Sequence, residues 1–241
     1  MKHTIILCSS NRAMAEGTKH SVQAAIREGG MYLAQSGCAD VALARNLALS
    51  AACDVLERLD GHEKRDTVLM VDDDMLFTVE QAQELIDHAR TTGVPASAMY
   101  ATTAGTLAAT RAKVADPSER PRWYTGLGLM AVPAWRLLEL ALRSERFKIW
   151  DDREHIGFTW SKAEGGEYWS EDYTLCKRFG GVHLLPIGVG HLKTIPIYPD
   201  ETTITAIREG RRLLAEPNPR VLEHIEDPDM VARNAAGAGA L

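Results

Sequence analysis

The chain has 241 residues, a formal charge of −6 and an apolar fraction of 45%, which suits one α/β domain with a substantial core. That balance argues against a surface devoted to non-specific nucleic-acid or membrane binding, and no stretch reaches the roughly 18 apolar residues of a membrane span. Cys8, Cys38, Cys53 and Cys176 are scattered in apolar segments with no C-x-x-C pair, a pattern of reduced, buried thiols rather than of zinc or disulfides. The short apolar stretch after Met1-Lys2-His3 lacks the features of a signal peptide, so a cytoplasmic protein is expected.

In chain order, Thr4 to Ser9 reads as a first strand, and the polar Ser9-Ser10-Asn11-Arg12 after it as a loop placed to touch a nucleotide. From Asp40 to Leu59 the apolar Val41, Ala44, Leu47, Ala48, Ala51, Val55 and Leu59 keep helical spacing, giving a long amphipathic helix. It carries Arg45 and Asn46 on adjoining faces. Arg45 can pair with a phosphate or an Asp carboxylate, or simply lie exposed; Asn46 can hydrogen-bond a base or ribose.

Thr67 to Phe77 is an apolar run interrupted by Asp72-Asp73-Asp74. Such runs form buried strands, and open α/β sheets bind ligands at strand C-terminal ends. In extended backbone Asp72 and Asp74 point one way and Asp73 the other. Adjacent carboxylates repel unless a cation shares their site, and hard oxygen ligands suit Mg²⁺ or Mn²⁺. The plainer alternative is a solvated acidic turn at the start of the next helix. Thr78 and Gln81 make a capping box for that helix, which runs to about Arg90 before Gly93 and Pro95.

Ala96 to Thr102 is a third strand, and Thr103 to Arg122, rich in charge with Gly and Pro, reads as a loop or lid. Gly126-Leu127-Gly128-Leu129-Met130-Ala131-Val132 reads as a buried strand whose glycines let backbone pass close to a neighbour. Pro133 begins a helix over Ala134 to Arg143. Asp151 to Trp169 lacks clear periodicity; its Trp160, Tyr168 and Trp169 either stack on a sugar or anchor the loop. Ser170 caps a short helix ending at Gly180-Gly181, with Glu171 and Asp172 in its first turn, where a carboxylate is held as a base and the dipole and nearby amides lower its pKa. Val182 to Ile187 is the final strand, followed by a Gly188 to Thr194 loop with His191, able to complete a metal's coordination, and Lys193, suited to phosphate. Ile204 to Leu214 is a closing helix. The domain is expected over 1–215, with 216–241 a flexible tail.

Taken in order, Ala44-Arg45-Asn46-Leu47-Ala48, Val68 to Asp74, Gly126 to Val132, and Ser170 to Cys176 followed by Gly188 to His191 resemble the GT-A fold of nucleotide-sugar-dependent glycosyltransferases. The resemblance covers roughly residues 4 to 195. It implies a single α/β, Rossmann-like domain with a mixed, mostly parallel central sheet flanked by helices. It also implies transfer of a sugar from a nucleoside-diphosphate sugar, UDP being the commonest expectation, with Mn²⁺ or Mg²⁺ bridging the diphosphate. Asp72 would then contact the ribose or metal, Asp74 the metal directly, and His191 would be the third ligand. Asp172 matches the base of inverting members, with Glu171 beside it; Ser9, Arg45, Asn46, Asp73 and Lys193 fall among the donor-binding residues. Leu192-Lys193 departs from the small residue or Gly that many relatives carry. The acceptor is left open among protein, glycan, small molecule and modified nucleobase.

Two other readings stand beside it. A phosphotransferase of the haloacid-dehalogenase type also uses Asp-x-Asp at a strand end but needs Thr or Val where this chain has Leu76. A non-catalytic nucleotide- or carbohydrate-binding protein would keep the fold and dispense with the base.

Overall fold

The computed structural model describes residues 1, 3–9, 14–35, 38, 40–59, 65–102, 105–111, 121–149, 153–164, 167–192, 196–197 and 204–205. The first half runs β1 (Thr4–Ser9), α1 (Glu16–Arg27), β2 (Met31–Gln35), α2 (Val41–Arg58), β3 (Thr67–Asp72), β4 (Met75–Leu76), α3 (Val79–Thr92) and β5 (Ala96–Met99). Then come β6 (Ala109–Arg111), β7 (Trp123–Thr125), β8 (Leu129–Pro133), α4 (Ala134–Leu142), the pairs β9 (Arg146–Lys148) with β10 (Glu154–Ile156) and β11 (Lys162–Glu164) with β12 (Glu167–Trp169), α5 (Glu171–Arg178), β13 (His183–Gly188), β14 (Gly190–Leu192) and β15 (Pro196–Ile197).

Six strands make the central sheet in the order β13-β5-β8-β3-β1-β2. Every pairing is parallel except those of β8, which opposes both β3 and β5. The sheet is therefore mixed and mostly parallel, as expected. Alternation along the strands sorts the core onto two faces. Ile5, Leu7, Val68, Met70, Met130 and Val132 cluster with Leu49 of α2, Leu137 of α4 and Leu175 of α5. Ile6, Leu69, Val71, Leu129 and Ala131 cluster with Val22 of α1 and Leu85 and Ile86 of α3. Helices thus cover both faces, and the buried strands read as continuous apolar runs for that reason.

Caps fall where the sequence places them. Thr78 accepts the Gln81 amide and the Gln81 side chain accepts the Thr78 amide, while Gly93 closes α3 at φ 68°. Replacing Thr78 by Ala should cost about 1 kcal/mol, read as a fall of about 2–4 °C in the melting temperature. Ser170 caps α5 by accepting from the Tyr173 amide, and Gly180 and Gly181 take left-handed φ values of 74° and 86° beyond its end.

Several expectations are corrected. α1 and β2 have no counterpart in the sequence reading, because α1 buries Thr18, Ser21, Val22 and Ala25, small or hydroxylic residues that leave little apolar periodicity. Ala109–Arg111, within the expected lid, is a strand paired with β7; 103–104 and 112–120 lie outside the described residues. The aperiodic stretch before α5 is two short antiparallel ribbons. Most of the expected closing helix, helical at 204–205, and the whole 216–241 tail lie outside the described residues. All four cysteines are free and buried, and burial pushes the thiols of Cys8, Cys53 and Cys176 up to about 12. Among the described residues no helix is long and apolar enough to cross a membrane.

Candidate functional site

Because β1, β3 and β5 run in parallel and β8 runs against them, the C-terminal ends of the first three and the entrance to β8 meet at one edge of the sheet. Ser9 stands in register with Asp72 there, and the Asp72 amide donates to the Gly128 carbonyl at 2.9 Å. Arg45 reaches this edge from α2 with only 3% of its surface exposed. Its Nη2 lies 3.1 and 3.0 Å from the two oxygens of Asp72, and its Nη1 lies 2.7 Å from Glu171 Oε1. The same Nη1 donates to Asp172 Oδ1. One guanidinium therefore gathers three carboxylates from two distant segments, and the phosphate or exposed alternatives for Arg45 do not describe this arrangement.

Three carboxylates share one guanidinium, whose side chain is 4% exposed while those of Asp72, Glu171 and Asp172 are 19–25% exposed. Burial acts to discharge Arg45, yet Asp72, Asp172 and Glu171 together raise its pKa and keep it ionised. Burial lifts the Asp172 carboxyl to about 7; Arg45 and the Leu127 amide oppose the rise, and the charges of Asp72 and Glu171 add to it. The expected lowering at a helix N-terminus is thus corrected, since burial and the neighbouring carboxylates outweigh Arg45 and the Leu127 amide. Arg45 Nε is buried with no hydrogen-bond partner among the described residues.

Asp73 and Asp74 form a turn between β3 and β4 rather than continuing the strand, so the expected shared face of Asp72 and Asp74 is also corrected. The Asp73 carbonyl accepts the Ala15 amide at 2.8 Å, which seats the side chain's residue in the interior at 7% exposure. Asp74 turns toward His191 instead. That meeting follows from β14, where a loop was expected: it pairs antiparallel with β4, setting Gly190 opposite Leu76 and His191 opposite Met75. His191 Nε2 lies 3.4 Å from Asp74 Oδ2, and Nδ1 is 2.8 Å from the Ala101 carbonyl. A carbonyl can only accept, so Nδ1 carries a hydrogen and Nε2 is the nitrogen that faces Asp74.

This pair fits a hard divalent ion in part. Neighbouring ligands of an octahedral Mg²⁺ or Mn²⁺, each about 2.1 Å from the ion, stand about 3 Å apart. Asp74 and His191 approach that spacing, but among the described residues no group of three His, Cys, Asp or Glu side chains is placed to hold a metal. Asp72, expected as a further ligand, is turned to Arg45. Substrate oxygens and water would have to complete the shell, as they commonly do for Mg²⁺.

Tyr100, which the sequence reading passed over, joins the two halves of the site. Its ring meets the His191 imidazole edge-on at 5.3 Å between centroids, and its hydroxyl accepts the Gly128 amide at 3.2 Å. A Cβ on Gly126 would stand 1.9 Å from that hydroxyl, and one on Gly128 would stand 2.8 Å from the ring. The neighbour for which these glycines make room is therefore Tyr100. The sequence reading carried the strand on to Thr102 and so enclosed Tyr100 in it, whereas β5 ends at Met99.

The remaining candidates divide. Asn46 is fully buried and holds backbone: Oδ1 accepts the amides of Phe158 and Thr159 and Nδ2 donates to the Thr159 carbonyl. It fastens the segment before β11 to α2 and does not face the acids. Lys193 lies outside the described residues. Trp160, Tyr168 and Trp169 form no common platform. Trp169 packs edge-on to Tyr124 beneath Lys177 and Trp160 packs on Phe147, whereas Tyr168 is 72% exposed.

No protein-family model matches the chain, and no curated protein sequence matches it. Among solved structures the chain is similar to the crystal structure of A197 from STIV, at 16% identity over 58% of this chain and 68% of that one, with a TM-score of 0.40.

Proposed function

We propose that this protein is a metal-dependent glycosyltransferase of the GT-A type, moving a sugar from a nucleoside-diphosphate donor, UDP first among the candidates, to an acceptor by inversion, in the cytoplasm. The observation that carries this reading is the convergence on Arg45 of Asp72, Glu171 and Asp172 at one sheet edge, with the Asp74 and His191 pair on the adjoining β4 and β14. A buried carboxyl lifted to about 7 suits a general base, whose best pKa is near the working pH. Asp172 would take the acceptor's proton, held in place by Arg45, with Glu171 beside it on the same guanidinium. Asp74 and His191 would hold Mn²⁺ or Mg²⁺, which when bound neutralises charge developing on the departing diphosphate. The phosphotransferase reading is served less well, because a nucleophilic Asp at the end of β3 would have to leave the guanidinium that engages both of its oxygens.

A thermal-shift panel of nucleoside diphosphates with and without Mn²⁺ tests the donor site. One nucleotide at about 100 times its Kd should add roughly 2.7 kcal/mol, and so raise the melting temperature by roughly 5–10 °C. The shift should need Mn²⁺ and vanish in Asp74→Asn. An unchanged Mn²⁺-dependent shift in that variant would remove Asp74 from the site, and no shift with any nucleotide would put the phosphotransferase reading first.

A further inference from the structure

We infer that Tyr100 is a second substrate-contacting group beside Asp172, and that the acceptor it receives presents an alcohol hydroxyl rather than an amine; this rests on the transfer reading above. Tyr100 is 7% exposed. Its oxygen takes the Gly128 amide hydrogen, while its own hydrogen has no acceptor among the described residues. A phenol keeps its hydrogen at neutral pH, so that hydrogen is there to be given. A buried donor without an acceptor is costly, and at a ligand-binding edge the natural acceptor is a ligand atom.

The place of that atom is narrowed by Gly126. A Cβ there would stand 1.9 Å from the Tyr100 hydroxyl and 3.6 Å from Asp172 Oδ2, so the phenol and the carboxyl lie on the same side of one glycine. An alcohol oxygen between them gives its hydrogen to Asp172, accepts the hydrogen of Tyr100 and keeps one lone pair free. A neutral amine has a single lone pair, which it must spend on the anomeric carbon, so as it reacts it can answer Asp172 but not Tyr100. In the transfer step the free lone pair forms the bond to the anomeric carbon. The bond from that carbon to the diphosphate oxygen breaks with its electron pair going to the diphosphate, and the hydroxyl proton passes to Asp172. Tyr100 retains its own proton throughout.

A sugar hydroxyl of the donor offers the same chemistry, and the experiment separates the two sources. Release of nucleoside diphosphate from a panel of nucleotide sugars with Mn²⁺ is measured in water alone, with glycerol and methyl glycosides, and with propylamine and lysine. Alcohols should accelerate release by the wild type and amines should not. Tyr100→Phe should raise the KM for the alcohol about tenfold, the loss expected for one hydrogen bond, with the Kd for the nucleotide sugar unchanged. Gly126→Ala, which displaces the hydroxyl without deleting it, should repeat the effect if Tyr100→Phe folds poorly. Amines that work as well as alcohols, or variants that keep the wild-type KM, overturn the inference. A loss that falls on nucleotide-sugar affinity places the hydroxyl on the donor and overturns the acceptor assignment. A wild type that releases diphosphate from no donor under any condition fails the transfer reading itself and this inference with it.

Discussion

Arg45→Met should lower the stability of the protein by about 3–5 kcal/mol at neutral pH, the range seen when one partner of a buried ionic cluster is removed. Three carboxylates would then face one another with no cation, and the methionine chain fills the guanidinium's volume well enough that packing is not the main loss. Arg45→Lys should fall between, because a point charge cannot reach Asp72, Asp172 and Glu171 at once as the two ends of a guanidinium do. Denaturant titration at several pH values checks this. The deficit should shrink as pH falls and the Asp172 carboxyl, lifted to about 7, takes up its proton. A variant as stable as wild type at pH 7 would show that the cluster is not held by Arg45.

Asp172→Asn should slow transfer by about 10²–10⁴-fold, the usual size of a lost general base, while leaving nucleotide affinity and its Mn²⁺ dependence in place. Single-turnover kinetics with saturating donor separates the two. The pH profile carries the sign of the shift. Wild-type turnover should rise as Asp172 ionises through about pH 7 and lie flat below that point in the variant. Stability should move the other way. A carboxyl whose pKa is raised in the folded state binds its proton more tightly there than in the unfolded chain, so its favourable contribution is complete below the unfolded value near 4 and is lost as pH rises through 7. Asp172→Asn should therefore melt higher than wild type at pH 8, with the gain disappearing toward pH 4. A residue whose removal steadies the fold while stopping the chemistry is the mark of strain kept for function. Equal loss of stability and turnover at pH 8 would instead make Asp172 structural and reassign the base.

How much of this could be read beforehand follows from which forces are local. The strand to Asp72, the capping box at Thr78 and the cap at Ser170 depend on neighbours within a few residues, and all three are where the sequence places them. Arg45 was legible as a possible partner of an Asp carboxylate but not as the group that gathers three of them, because α2 is buried all round from Ala44 to Ser50 and no spacing rule separates an exposed arginine from one enclosed by three acids. The Asp172 carboxyl was read with the wrong sign for the same reason, since dipole and caps are local and desolvation is not. α1 went unseen because the face it buries is made of small or mixed side chains, and β2 because it is a short strand at the end of the sheet order whose side chains from Met31 to Ala34 stay half-buried or exposed. The strand at Gly190–Leu192 was hidden by its glycines and its length, and only pairing with β4 makes it one.

That pairing also dates the site in the life of the chain. The acidic turn at Asp73-Asp74 is made early in synthesis, but the imidazole that answers it arrives on β14, after α1 to α5 have all been made. Contacts so far apart in sequence form late, because the intervening loop must close before they repay it. A nascent or C-terminally shortened chain can hold most of the sheet and still lack Asp74's partner. On the proposed metal role, competence for a cation would come only with the last strands, after most of the core is packed.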